Sequence, residues 1–117
     1  MKIMVTGFGR FLEYDNNPTK EVLKILPKSI YGNEIISVEL PVIFDECFDY
    51  LKPMIDDVQP DAIIMLGLAG GRTAISLERV ALNVKDSKVP DNIGCHPIDE
   101  VIIRNGKEAY FSTLPLR

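Results

Sequence analysis

Three features predict an α/β domain on a mostly parallel sheet: a short β-branched run ending at Gly7, a second apolar run ending at Gly67, and amphipathic helical stripes between them. Two strand–helix–strand units in succession imply a parallel sheet with right-handed crossovers. The 117 residues, 46% hydrophobic and 26% charged, suit one globular domain and exclude disordered or collagen-like architectures. No internal repeat or interdomain linker interrupts them.

Lys2-Ile-Met-Val-Thr6 is apolar and runs into Gly7, as a strand buried on both faces would. A loop extends to Asn17, and Asn17-Pro18 then places a capping residue before a proline suited to the first helical turn. Val22, Leu23, Ile25 and Leu26 give that short helix its apolar side, and Pro27 ends it. Glu34–Val42 reads as a second strand. Phe44, Cys47, Phe48, Leu51, Ile55 and Val58 then recur at three- and four-residue intervals, the stripe of an amphipathic helix. Pro53 inside it is expected to kink or restart the helix, because proline lacks a ladder N–H. After Gln59-Pro60-Asp61, Ala62–Leu66 forms a third buried strand.

From Thr73 to Val84 the alternation slips by one residue near Glu78-Arg79: Ile75 and Leu77 share one side, Val80, Leu82 and Val84 the other. Such a slip suggests a bulge or bend, which re-aims side chains. Ser87–Gly94 is turn-forming, Glu100–Arg104 is a strand candidate, and Tyr110–Leu116 is apolar again.

Charge and composition exclude several function classes. With 13 basic against 17 acidic residues, a net charge of −4 and no basic run, nucleic acid is not an expected partner. No apolar stretch reaches the ~20 residues of a membrane span, and the first strand lacks a signal peptide's cleavage region. The expectation is a cytoplasmic protein with no membrane partner. Cys47 and Cys95 form neither a disulfide framework nor a Cys-x-x-Cys pair, and one histidine, His96, assembles no ordinary metal cluster. Neither metal nor cofactor is expected.

In an open parallel sheet ligands sit beyond the carboxyl ends of the strands, so the loops Gly7–Phe11 and Gly67–Arg72 belong on one rim. A dinucleotide site would need Gly-x-Gly-x-x-Gly opening directly onto a helix. Here the third position is Leu12, and roughly ten residues separate strand from helix, more than that tight turn allows. Phe8 and Phe11, three apart in this loop, either fold onto the core or wall a small pocket. Glu78 reads either as a surface residue paired with Arg79 or Arg72, or as a carboxylate held beside a rim to orient a histidine.

Gly67-Leu-Ala-Gly70-Gly71-Arg72-Thr-Ala-Ile75-Ser76-Leu-Glu78-Arg79-Val80-Ala81-Leu-Asn83 resembles the glutamate-bearing signature of the pyrrolidone carboxyl peptidases, also called pyroglutamyl peptidase I. The resemblance spans nearly the whole chain. It is carried also by Val5-Thr6-Gly7-Phe8 with Phe11, Asn17-Pro18-Thr19, Leu40–Phe44, Val89-Pro90-Asp91-Asn92-x-Gly94 and Tyr110–Pro115, in the family's order. It implies a three-layer α/β/α fold, incomplete here relative to the family. It also implies a cysteine peptidase that removes amino-terminal pyroglutamate with a Cys–His pair supported by a glutamate. By this resemblance Glu78 matches the catalytic glutamate. Phe8 and Phe11 match the aromatic walls of the ring pocket, Val42, Leu68 and Val89 match other lining positions, and Lys88 stands where the family has an arginine near the cysteine.

The family's Cys-Asn and His-x-Pro segments belong to its second half and do not occur in these residues. Cys47 lies on an apolar helical stripe, where a free thiol is expected to be buried. Neighbours in an extended segment point to opposite sides, so Cys95 and His96 read as turn residues rather than a catalytic pair. The chain is therefore expected to match the amino-terminal half, to bind a pyroglutamyl peptide at most weakly and to be inactive alone. Further departures are Arg10 for proline, Leu12-Glu13 for paired glycines, and Lys88, which lacks the guanidinium fork. A competing expectation is a non-catalytic interaction module, a homo-oligomer or one half of a split enzyme docking a complementary C-terminal half, motivated by the apolar tail. A nucleotide-binding module rests on the glycine loops alone.

Overall fold

The computed structural model describes residues 1–13 and 15–116; Tyr14 of the opening loop and Arg117 lie outside them. Strand β1 (Lys2–Phe8) lies inside the sheet, and its residues Met4–Gly7 are buried. Helix α1 (Pro18–Ile25) and β2 (Ser29–Ile30) lead into β3 (Asn33–Leu40), and α2 (Glu46–Val58) leads into β4 (Ala62–Met65). Both β3 and β4 run parallel to β1, with Phe8 opposite Leu40 and Thr6 opposite Met65, and β2 joins antiparallel outside β3, giving the order β2-β3-β1-β4.

Alternation along β1 decides which helix covers which face. Met4 is fully buried in a cluster with Val38, Leu40 and Leu51, against which Phe8, Cys47, Met54, Ile55 and Val58 also pack, so α2 lies on the Met4–Phe8 face. On the other face a Cβ at Gly7 would stand 3.0 Å from both Leu23 Cδ1 and the Thr19 carbonyl oxygen, which puts α1 there. The architecture is three-layered, α/β/α.

Several boundaries differ from expectation. β1 continues two residues past Thr6, because the parallel ladder with β3 continues to Phe8 and Leu40. The second strand ends at Leu40 rather than Val42. α2 runs through Pro53 as one helix: Pro53 is on the exposed side, where a carbonyl left without its ladder donor is open to hydration. β2 was not foreseen; it forms by a two-residue turn in which Tyr31 and Gly32 both take positive φ, a hairpin geometry masked in sequence by the bulky Tyr. β4 was expected to be buried, yet Met65 is 70% exposed. It occupies the sheet's edge.

Thr73–Val84 is not one extended run. Residues 73–79 are irregular, and strand structure begins with β5 (Val80–Leu82) and β6 (Val84–Lys85). These pair antiparallel with β8 (Ala109–Phe111) and β7 (Glu100–Val101), respectively. The break between β5 and β6 falls at Asn83, rather than near Glu78-Arg79, opposite a loop of residues 102–108. There the Asn83 side chain replaces the ladder, donating to the Ile103 carbonyl and accepting the Ile103 N–H, both at 2.8 Å.

Candidate functional site

Parallel strands bring the carboxyl ends of β1 and β4 to one rim, and the chain continues the pairing there: Gly9 N–H donates to the Leu40 carbonyl at 3.0 Å and Leu66 N–H to the Thr6 carbonyl at 2.8 Å. Beyond this rim lies a cleft of 510 Å³. Phe8, Phe11, Val42 and Leu68 give it apolar walls, Asn16 and Asn17 polar ones, and Gly67 and Gly70 leave room for backbone at its edge. Its surface is mainly apolar with a few polar groups, the usual make-up of a small-molecule site.

Phe8 is held by a buried relay. Its N–H donates to Thr19 Oγ1 at 2.8 Å, while the Thr19 hydroxyl donates to Asn17 Oδ1 at 2.7 Å. Asn17 Oδ1 also accepts the Thr19 N–H at 3.0 Å, capping α1. The expected alternatives for Phe8 coexist, since it is half-buried against the core and also lines the cleft.

The segment after β6 is tied in by Asp91, only 4% exposed. Its Oδ2 accepts the Phe44 N–H at 2.8 Å, and its Oδ1 accepts the N–H groups of Ile93 at 3.0 Å and Cys95 at 2.9 Å. Burial opposes its charge, but the backbone donors of Phe44, Cys95, Ile93 and Gly94 together outweigh burial and hold its pKa below the ordinary value.

Glu78 lies on the irregular segment following the glycine loop, with Oε1 2.7 Å from Arg72 Nη1; of the two partners the sequence offers, Arg72 is the one engaged. Glu78 is well exposed and outside the cleft lining, as are Lys88 and Val89, which are exposed on the approach to Asp91. Four residues expected from sequence, Phe8, Phe11, Val42 and Leu68, thus meet in one cleft, and Glu78, Lys88 and Val89 are not among its lining residues. Asn16, Asn17 and Asn92 were not singled out as site residues. Asn17 carries a capping signal in Asn17-Pro18, Asn16 carries none, and Asp91-Asn92-x-Gly94 carries the mark of a side-chain-to-backbone turn.

Cys47 is half-buried, and burial pushes its thiol pKa up, away from a reactive thiolate. Cys95 is exposed, and His96 Nε2 donates to the Ser87 carbonyl at 2.7 Å. Among the described residues no three His, Cys, Asp or Glu side chains are grouped to hold a metal ion, and no helix is long and apolar enough to cross a membrane.

A sequence model of the family described as pyroglutamyl peptidase matches residues 1–117. The chain belongs to the pyroglutamyl peptidase family. Over its full length it is 49% identical to the pyrrolidone-carboxylate peptidase of Streptococcus pyogenes serotype M5 (strain Manfredo), of which it covers 54%. Among solved structures, a mutant pyrrolidone carboxyl peptidase from the hyperthermophile Pyrococcus furiosus superposes with a TM-score of 0.94 at 41% identity, over 98% of this chain and 56% of that one. Pyroglutamyl peptidase I of Bacillus amyloliquefaciens gives 0.92 at 37% identity, over 97% and 56%. The chain spans about half the length of the relatives it matches.

Proposed function

We propose that this member of the pyroglutamyl peptidase family holds the lactam ring of an amino-terminal pyroglutamyl residue between Phe8 and Phe11. The observation that carries this reading is the cleft where those rings meet Val42 and Leu68. A lactam ring is uncharged, with apolar faces and an edge bearing one N–H and one C=O. Aromatic walls remove its faces from water, while the Asn16 amide and the backbone at Gly67 and Gly70 can serve its edge.

Glu78 is the acidic member of the proposed catalytic set, where its carboxylate would orient an imidazole and stabilise its protonated form. Its pairing with Arg72 ties it to the glycine loop that edges the cleft. Hydrolysis also needs a thiolate and a base within hydrogen-bond reach of it. Neither cysteine supplies one here: Cys47 packs against the core, Cys95 precedes His96 in the chain, and the His96 ring is engaged by Ser87. The chain by itself is therefore a ring-binding unit without turnover.

The test is an NMR titration of the chain with 2-pyrrolidone, alongside an assay with a fluorogenic pyroglutamyl amide. Saturable shifts of the Phe8 and Phe11 ring signals are expected, with no hydrolysis above buffer. Unmoved ring signals would remove the cleft assignment. Turnover abolished by thiol alkylation would overturn inactivity.

A second reading is favoured by the surface area. The chain exposes 9126 Å², against about 6,400 Å² for a compact monomer of its mass. An excess on this scale suits an interaction module that covers its apolar surface with another polypeptide.

A further inference from the structure

We infer that Asn92 is the positioning residue that sets the width of the ring cleft; this rests on the lactam-binding reading above. Its side-chain Nδ2 donates to the Arg10 carbonyl and its Oδ1 accepts the Leu12 N–H, each at 2.7 Å. Arg10 and Leu12 are the two neighbours of Phe11, so the carboxamide brackets that residue from both sides. The Asn92 backbone N–H meanwhile donates to the carbonyl of Val42 at 3.1 Å, and Val42 is another wall of the same cleft. One residue thereby ties two walls together, reaching about eighty positions back in sequence to the Phe11 loop and about fifty back to Val42. Asp91, fastened to Phe44 and to its own turn, fixes the base from which Asn92 reaches.

The need for this brace is visible in the loop. Leu12 takes a φ of +52°, a left-handed conformation that a branched apolar side chain disfavours, and the loop has no glycine after Gly9 to relax it. A carboxamide suits the task because it presents one acceptor and one donor at fixed spacing, as a neighbouring peptide group would. Asn83 likewise uses both ends of its carboxamide on backbone, at the N–H and carbonyl of Ile103. A carboxylate at position 92 would keep the bond to Leu12 but turn a lone pair toward the Arg10 carbonyl.

The experiment is a set of NMR titrations with 2-pyrrolidone on the wild-type chain, Asn92→Ala and Asn92→Asp. In Asn92→Ala the dissociation constant should rise about tenfold, the Leu12 amide should lose hydrogen-exchange protection and the Phe11 ring signals should move. The Phe8 backbone N–H, which Thr19 rather than Asn92 holds, should keep its exchange protection, which reports that the variant is folded. Asn92→Asp should bind weakly at pH 7 and approach wild-type affinity toward about pH 4, as the new carboxyl gains the proton that lets it donate. A general loss of packing would not recover on acidification.

Wild-type affinity and Leu12 protection in Asn92→Ala would overturn the inference, as would a pH-independent affinity in Asn92→Asp. If the wild-type chain does not bind 2-pyrrolidone, the lactam reading fails on its own. The loop signals then decide the brace: unchanged Leu12 and Phe11 signals in Asn92→Ala sink it, and altered ones sustain it.

Discussion

Asp91 carries a charge that its burial disfavours and its donors retain, so its role is legible in the pH dependence of stability. A carboxylate whose folded pKa lies below its unfolded value of about 3.9 stabilises the fold above that value, and the contribution is lost as pH falls through the folded pKa. Asp91→Asn should therefore lower the thermal midpoint at pH 7, because an amide offers one acceptor oxygen where the carboxylate uses two. The gap to wild type should narrow below about pH 4. Melting curves from pH 2 to 7 check this; parallel curves would show that the carboxylate's charge is not what matters. Lys85 works beside it on another joint, pairing with Asp45 at the start of α2 at 2.9 Å and thereby linking β6 to that helix.

At the level of elements, the approach of α1 to β1 depends on the missing side chain at Gly7. A Cβ there would meet the Thr19 carbonyl oxygen at 3.0 Å, and a helix backbone atom cannot yield as a side-chain tip can. Gly7→Ala should destabilise the chain by about 1–3 kcal/mol, read as a lower denaturant midpoint at unchanged slope. A neutral effect would mean that α1 is loosely docked. The same displacement would disturb the relay from Phe8 through Thr19 to Asn17, so the substitution should also shift the Phe8 ring signals. Fold and cleft thus share their supports.

The whole molecule is expanded for its length, with a radius of gyration of 14.9 Å against about 13.4 Å for a globular chain of this size. The β5–β8 region accounts for much of the apolar exposure: Leu82, Val101, Ile102, Ile103 and Phe111 are all exposed, as are Ile75 and Leu77 before it. Among the described residues β4 has no strand partner on its outer edge, beside the exposed Met65. Such a surface should bind a hydrophobic dye strongly and drive association at micromolar concentration. Size-exclusion chromatography with light scattering tests the interaction-module reading: a concentration-independent monomer with no dye enhancement would end it.

Local chemistry was enough to read β1, the capped start of α1, the stripe of α2 and the glycine-ended loops, because each depends on a periodicity or a cap contained in a few adjacent residues. Family membership was legible for a related reason, since Gly67–Asn83 and its companion segments are continuous strings. The exposure of β4 was not legible: an apolar run is the same whether its strand is central or at an edge, and only the sheet order decides. Nor could sequence choose between Arg72 and Arg79 as partner of Glu78, or show that Asn92 reaches residues 10 and 12. Those contacts join segments far apart in the chain through single side chains, which leave no periodic trace. Only the folded path of the backbone brings them together.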